Sequence, residues 1–360
     1  MSDASTEDAD GRNRIRLSCR NIWKVYGNRP GQYFPEDAPA EDTGALVGRI
    51  REDGAIPAAA DVSFDVGVGE IFVIMGLSGS GKSTVVRCLS RLVEPSHGEI
   101  LLDGEDLRAK SDKEMIEVRR HRIGMVFQNF GLMPHLSVWE NIAFPLSLQG
   151  AAQDHTRERV GQVIGLVGLE GREKSYPHQL SGGQQQRVGI ARSLAVDPDL
   201  WLLDEPFSAL DPLIRRQMQD EFLRIQSDLH KSIVFITHDF LEALRVADRM
   251  MIMRGGRVVQ TGTPAELITN PADDYVAEFT NDVPMVRVLC AGDVTDPDAG
   301  PAEGRERVSG DLSVEALLPM LSAHPEGLAV EQAGRVTGVV TSQSVVRALA
   351  RLSDRAEAPA

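Results

Sequence analysis

Residues 76–84 read GLSGSGKST. Three glycines and four hydroxyl residues surround one lysine, and the stretch fits the pattern G-x-x-x-x-G-K-[ST]. It follows the apolar run IFVIM (71–75) and precedes VVRCL, which suits a helix. Strand, glycine-rich turn and helix are the context this pattern requires. Gly76, Gly79 and Gly81 let backbone amides turn inward toward phosphate oxygens. The start of the following helix adds partial positive charge. Leu77, Ser78, Ser80 and Thr84 complete the loop. Lys82 is the candidate for the β- and γ-phosphates, and the Ser83 hydroxyl for Mg²⁺. A plain Gly-Ser turn explains the composition but neither the spacing nor the flanks.

Three more short, uniformly apolar runs occur downstream: IGMVF (123–127), LWLL (200–203) and IVFI (233–236). Helical sequence separates them, as it does buried parallel strands. Each ends on a polar candidate: Gln128, Asp204 with Glu205, and His238. Ligands bind at the carboxyl ends of strands in open α/β sheets, so four such ends predict one shared site. Asp204 is placed to reach the metal, and Glu205 to polarise a water. RIRLSCRNIWKVYG (14–27) and ADVSFDVGVGE (60–70) read as strands. Residues 28–57 read as an insertion or mobile segment, rich in Pro, Gly and acids, with one or two helical turns in GALVGRIRED. Residues 137–180 read as a helical subdomain between two strands. RMMIMRGGRVVQTG (249–262) reads as a hairpin turning at Gly255 and Gly256.

Composition bounds the answer. The 360 residues allow two domains or one large one, and 42% are hydrophobic, enough for a core. Net charge is −15, which argues against nucleic acid as a partner. Cys19, Cys88 and Cys290 lie far apart and make no framework, so a reducing compartment is the default. The acidic start of the chain is unlike a signal peptide. No apolar run approaches the ~20 residues that span a bilayer. If the protein works at a membrane, another chain does the spanning.

LSGGQQQR (180–187) separates this chain from other phosphate-loop proteins. Ser181 and Gln184 match a capping box at a helix start. A capped N-terminus with Gly182 and Gly183 in its first turn is also an anion site, although the chain already has a phosphate loop of its own. In order, GLSGSGKST, FQNF, LSGGQQQR, WLLDEPFSALD and THD resemble the ATP-binding cassette of ABC transporters over roughly residues 15–282. The resemblance implies a P-loop ATPase with a mixed sheet core, an antiparallel β subdomain and an inserted helical subdomain. It implies ATP and Mg²⁺ as ligands and a homodimer that sandwiches ATP between one P-loop and the partner's signature. Ser181, Gly182, Gly183 and Gln184 would then meet the partner's ATP. Gln128 would sense the γ-phosphate and Mg²⁺, His238 would contact the γ-phosphate, and Asp211 would lie in the loop that communicates across the dimer. Tyr26 occupies the position from which an aromatic ring stacks on adenine.

EIFVIMGLSGSGKSTVVR, RHRIGMVFQNFGLMPHLSV, FSALDPLIRRQMQDE and NPADDYVAEF narrow the resemblance to the ATPase subunit of glycine betaine/L-proline importers. That subfamily also carries an insertion between the first strand and the P-loop. The implied partners are transmembrane permease subunits and, indirectly, an extracytoplasmic solute-binding protein. The implied location is peripheral, at the cytoplasmic face of the membrane. In the family, the segment 129–148 receives a coupling helix from the permease. Residues 1–13 read as a tail and 283–307 as a linker. Residues 308–352 resemble a single cystathionine-β-synthase (CBS) module with a β-α-β-β-α pattern, followed by a tail at 353–360. Importers of methionine or taurine remain open, as does a non-transport ABC ATPase.

Overall fold

The computed structural model describes residues 14–35, 41–128, 131–208, 210–280, 285–296, 299–332 and 334–356. The expected tail at 1–13 and the Asn129–Phe130 part of the segment after Gln128 lie outside these. The chain divides into two compact units, Met1–Thr261 and Gly262–Ala360.

In the first unit, β1 (Ile15–Tyr26) leads through a short 3₁₀ turn (Pro30–Tyr33) to α1 (Thr43–Glu52) and β2 (Ile56–Gly67). Then come β3 (Ile71–Met75), α2 (Lys82–Leu89), β4 (His97–Leu102), β5 (Glu105–Asp106), α3 (Asp112–His121) and β6 (Ile123–Val126). The helical segment α4 (Val138–Leu148), α5 (Gln153–Leu166) and a 3₁₀ turn (Pro177–Gln179) follows, and then α6 (Gly182–Ala195). The unit finishes with β7 (Leu200–Asp204), α7 (Pro212–Leu229), β8 (Ser232–Thr237), α8 (Phe240–Val246), β9 (Arg249–Arg254) and β10 (Arg257–Gly262).

Two sheets result. An antiparallel sheet runs β2-β1-β4-β5, and a six-stranded sheet runs β10-β9-β3-β8-β7-β6. Within the second, β9, β3, β8, β7 and β6 are parallel. Strands β3, β7 and β8 are buried at every residue, which is why they read as unbroken apolar runs without alternation. The core fills the space between the sheets: Phe64 stacks on Phe72 at 5.0 Å, with Val85, Val86 and Leu89 of α2 in the same cluster. Because the central strands are parallel, their carboxyl ends share one edge. That edge holds residues 76–84, Gln128, Glu205 and His238.

The described parts of the 28–57 segment, 28–35 and 41–57, pack onto the strands that flank it. Asp42 caps α1 by accepting from the amides of Gly44 and Ala45. Leu46, Val47 and Ile50 then bury one face against Trp23, Val25, Tyr33 and Ala60. Tyr33 Oη donates to Asp53 Oδ2 at 3.0 Å, and Thr43 Oγ1 to Asp61 Oδ2 at 2.8 Å. A separate small core therefore ties the segment to the strands it interrupts.

The second unit holds α9 (Pro264–Thr269), α10 (Asp274–Thr280), α11 (Met285–Val288), a 3₁₀ turn (Ala291–Val294), β11 (Arg307–Ser309), α12 (Val314–Ala323), β12 (Leu328–Gln332), β13 (Arg335–Val340) and α13 (Ser342–Ala356). Its sheet order is β11-β12-β13, with β11 parallel and β13 antiparallel to β12. Three expected boundaries move. The division falls after Thr261, one residue before β10 ends, and not after 282. The expected linker 283–307 supplies Leu289, Ala291 and Val294 to the small core beside Val314, Leu328 and Val340. Its Gly, Pro and Asp content had hidden those apolar positions. The expected tail 353–360 is helical to Ala356. No helix among the described residues is long and apolar enough to cross a membrane.

Candidate functional site

A cavity of about 780 Å³ opens at the strand-end edge. Leu77, Ser78, Gly79, Gly81, Lys82, Ser83 and Thr84 form one wall, and Gln128, Glu205 and His238 enter from three other strand ends. The expectation of one site shared by four strands matches this convergence.

The phosphate loop is held by tight backbone approach. Gly81 has φ +101°, and a Cβ there would stand 2.2 Å from the Ala58 carbonyl oxygen. At Gly76 (φ +147°) a Cβ would meet the Met253 carbonyl oxygen at 2.3 Å. No other residue type fits either position without moving backbone. Lys82 curls back and donates to the carbonyls of Gly76 at 2.7 Å and Leu77 at 3.1 Å. Burial pushes its ammonium pKa below the usual lysine range, against the pull of Glu205 and Asp204. Ser83 Oγ donates to Asp204 Oδ1 at 2.9 Å. Burial pushes the Asp204 carboxyl up, against the Ser83 hydrogen bond and Arg87. Burial thus disfavours the charged form of both groups. A polyphosphate beside Lys82 and a divalent cation beside Asp204 would each reverse that.

The donors suit those ligands. Ser80 Oγ is buried and has no partner among the described residues, leaving a donor in the loop. A hydroxyl and a carboxylate are hard oxygen ligands of the kind Mg²⁺ takes together with phosphate oxygens. No cluster of three His, Cys, Asp or Glu side chains forms a ready metal cage among the described residues.

Glu205 is the hub of the opposite wall. Its Oε2 accepts from Gln128 Nε2 at 3.4 Å and lies 3.1 Å from His238 Nδ1. Its backbone sits at φ +46°, a region that non-glycine residues seldom occupy. The Glu205 amide donates to the Ile236 carbonyl at 3.1 Å, and the Ser208 hydroxyl donates to the Glu205 carbonyl at 2.9 Å. These bonds hold the turn, and such strain recurs at functional positions.

The remaining expected residues stand apart from the cavity wall. Ser181 caps α6: its Oγ accepts from the Gln184 amide at 3.3 Å, while Gln184 Oε1 accepts from the Ser181 amide at 3.0 Å. Gly182 is solvent-exposed beside them and Gly183 is buried within the first turn. Asp211 caps α7 by accepting from the Ile214 amide at 3.1 Å. Tyr26 is 44% exposed, with its ring 4.9 Å from Lys24 Nζ, and does not line the cavity. The insertion between β1 and β2 puts other residues there. Arg51, Ala55, Ile56, Pro57 and Ala58 complete the wall with Gly255 and Gly256. Sequence reasoning missed these, because an exposed arginine and an Ile-Pro pair carry no pattern. It also missed Asn141, fully buried on α4. Asn141 Oδ1 accepts from the Met133 amide, and its Nδ2 donates to the carbonyls of Met133, Leu136 and Ser137.

The ABC transporter family model matches residues 59–208. A trimethylamine N-oxide transport system ATP-binding protein, TmoW of Ruegeria pomeroyi, is 50% identical over 338 residues, which is 94% of this chain and 98% of that protein. A glycine betaine/proline betaine transport system ATP-binding protein, ProV of Salmonella typhimurium, is 43% identical over 94% of this chain and 83% of its own length. Among solved structures, a dimeric ATP-binding cassette in a post-hydrolysis state with ADP and Pi is similar at TM-score 0.56 and 30% identity, covering 69% of this chain and 98% of that one. With the phosphate loop, the Glu205 hub and near full-length kinship to TmoW all agreeing, the chain belongs to the ATP-binding subunits of ABC transport systems, which are ATPases.

Proposed function

We propose that the chain energises uptake of a quaternary amine or its N-oxide relative, glycine betaine or trimethylamine N-oxide, through a separate permease. The names of the relatives support the solute class, since nothing in the cassette touches the solute. The carrying observation for the motor is the convergence of Lys82, Ser83, Gln128, Glu205 and His238 on one cavity that lacks Ser181–Gln184. A pocket with its own phosphate loop, and with a second anion-binding helix start facing elsewhere, is complete when a second copy supplies the signature. The dimeric neighbour supports that arrangement.

In this reading Lys82 and the loop amides hold the β- and γ-phosphates. Ser83, Asp204 and Gln128 would hold Mg²⁺, which would neutralise phosphate charge. Glu205 takes the proton of the attacking water, oriented by Gln128 and His238. General-base help of this kind is worth about 10²–10⁴ in rate. Asp211 and Ser181–Gln184 act on the partner's site. Loss of the γ-phosphate removes the charge that joins the two copies, so hydrolysis reopens them.

A second cavity of about 500 Å³ supports permease docking. Phe127, Met133, Phe144 and Leu148 line it, with Arg119 and Arg192 at its polar margin. Asn141 braces the loop that forms one side. This is the segment expected to receive a coupling helix, which would hold the chain at the cytoplasmic face of the membrane. The β11-α12-β12-β13-α13 order supports reading 308–352 as a single CBS-like module. The solute-binding protein is a partner only through the permease.

Light scattering tests the motor. Glu205→Gln with ATP is expected to give a dimer that persists, and wild type one that dissociates on turnover. A Glu205→Gln chain that stays monomeric with saturating ATP would remove the sandwich. Uptake of labelled glycine betaine and trimethylamine N-oxide by the reconstituted permease complex tests the solute class.

A further inference from the structure

Glu205 and His238 meet at 3.1 Å, yet they follow the ends of different strands, β7 and β8. We propose that Arg215, which is on α7 and does not line the cavity, is the positioning residue that keeps the two together. It bridges the turn that begins at Glu205 to the loop that carries His238. The proposal rests on the reading of Glu205 and His238 as partners in hydrolysis, and it names what holds them in register.

The bridge is made of printed bonds on both sides. Arg215 Nη2 donates to the Leu210 carbonyl at 3.2 Å, and Nη1 donates to Asp239 Oδ2 at 3.4 Å. Leu210 closes the turn that Glu205 opens. Its amide donates to the Phe207 carbonyl, and the Ser208 amide and hydroxyl both donate to the Glu205 carbonyl. Asp239 directly follows His238 and is held at its amide and at both carboxylate oxygens. The amide donates to Thr237 Oγ1 at 3.0 Å, which closes a tight turn around His238. Oδ1 accepts from the Glu242 amide at 3.2 Å, and Oδ2 takes Arg215. The circuit therefore returns on itself, from the Glu205 carboxylate to His238, through Asp239 to Arg215, and back to the Glu205 turn.

The residue type fits that task. A guanidinium presents several donors in a fixed fork, so it can serve a carbonyl and a carboxylate at once, where an ammonium is a single point charge. Arg215 and Asp239 are both partly shielded from water, so their pairing is less screened than one on the open surface.

A second contact fixes the register of the first. One helical turn along α7, Gln219 Nε2 donates to Glu242 Oε1 of α8 at 3.1 Å, and both side chains are buried. Burial pushes the Glu242 carboxyl above the usual carboxylate range, against the Thr237 hydroxyl and the Gln219 amide. An apolar pair would pack the two helices without burying a carboxyl. A polar pair instead selects which turn of α7 faces which turn of α8, and so seats Arg215 opposite Asp239.

Steady-state ATPase assays of the full chain, on wild-type and His238→Ala backgrounds, test this. Arg215→Met removes the guanidinium and keeps the apolar stem. It is expected to lower kcat about ten- to a hundredfold, the scale of a misplaced catalytic group, with the KM for ATP within about twofold of wild type. On the His238→Ala background Arg215→Met should cause no further loss, because the side chain it positions is gone. Asp239→Asn keeps the cap of α8 but loses the charge, and should lower kcat in the same background-dependent way. An unchanged kcat, a loss of equal size on both backgrounds, or a raised KM at constant kcat would each overturn the assignment. Should Arg215→Met not fold, Asp239→Asn carries the same comparison. His238→Ala turning over at the wild-type rate would instead sink the hydrolytic role of His238, and the bridge with it.

Discussion

At one end of the cavity stand Gly81, Lys82 and Ser83, and at the other Arg51, Ala55, Ile56 and Pro57. The phosphate end makes demands on backbone. Two glycines adopt φ values closed to other residues and touch carbonyl oxygens where a Cβ would stand. Only one arrangement of residue types meets those demands, so the sequence carries a pattern. The far end sets an exposed arginine beside an alanine, an isoleucine and a proline. Many residue combinations on many backbones supply that, so no pattern marks it. The contrast teaches that one cavity can be specified strictly where its wall is close-packed backbone and loosely where its wall is side chains.

The largest expected effect is at the strict end. Gly81→Ala places a methyl group 2.2 Å from the Ala58 oxygen in a left-handed backbone, and the loop must shift. Misplacement on the ångström scale costs on the order of 10²-fold in turnover. Steady-state ATPase assays should show that loss, and tripolyphosphate binding should weaken with it. Near wild-type activity would mean that the cradle tolerates far more movement than its packing allows.

The same contrast explains what was legible in the sequence. Strands β3, β7 and β8 stood out because burial on both faces removes polar residues from the run. Their ends, with that of β6, pointed to residues 76–84, Gln128, Glu205 and His238, because parallel strands deliver every carboxyl end to one edge. The capping box at Ser181 was legible because it satisfies backbone donors at fixed spacing. In residues 28–57 the helical turns of GALVGRIRED were legible and form α1, but their packing was not. Only Leu46, Val47 and Ile50 carry the helical period there, and the packing partners Trp23 and Tyr33 lie outside that run. Leu289, Ala291 and Val294 stayed hidden for a similar reason, because three apolar positions among turn residues declare themselves only against a core already built elsewhere.

A smaller effect sharpens the comparison from the loose side. Ile50 is fully buried between α1 and the strands it covers. Ile50→Ala leaves a cavity costing about 2–4 kcal/mol in the small core, though most of that cost falls on the insertion alone. Amide exchange should accelerate across residues 43–56, and the KM for ATP should rise severalfold with kcat nearly unchanged. Tripolyphosphate binding should not change. A fall in kcat with constant KM would place the insertion in the chemistry and remove the distinction between the two ends.

The smallest effect concerns charge at the strict end, and its sign runs opposite to the loss of function. Burial raises the Asp204 pKa, so the fold favours the protonated carboxyl. That preference is fully present below the pKa of the unfolded acid and is lost as pH rises through the raised folded value. At neutral pH an ionised Asp204 therefore costs stability in the protein without nucleotide. Asn at this position has no charge to bury and still accepts from Ser83 Oγ. Asp204→Asn should melt a few degrees higher than wild type at pH 7 without ligand, with the gain shrinking as pH falls toward the ordinary aspartate range. The same variant should lose Mg²⁺-dependent ATP hydrolysis, and added MgATP should raise its melting temperature less than that of wild type. A variant that melts lower at pH 7 would mean that the Ser83 bond and the nearby Arg87 outweigh burial, and that the strict end is held in place by its charges.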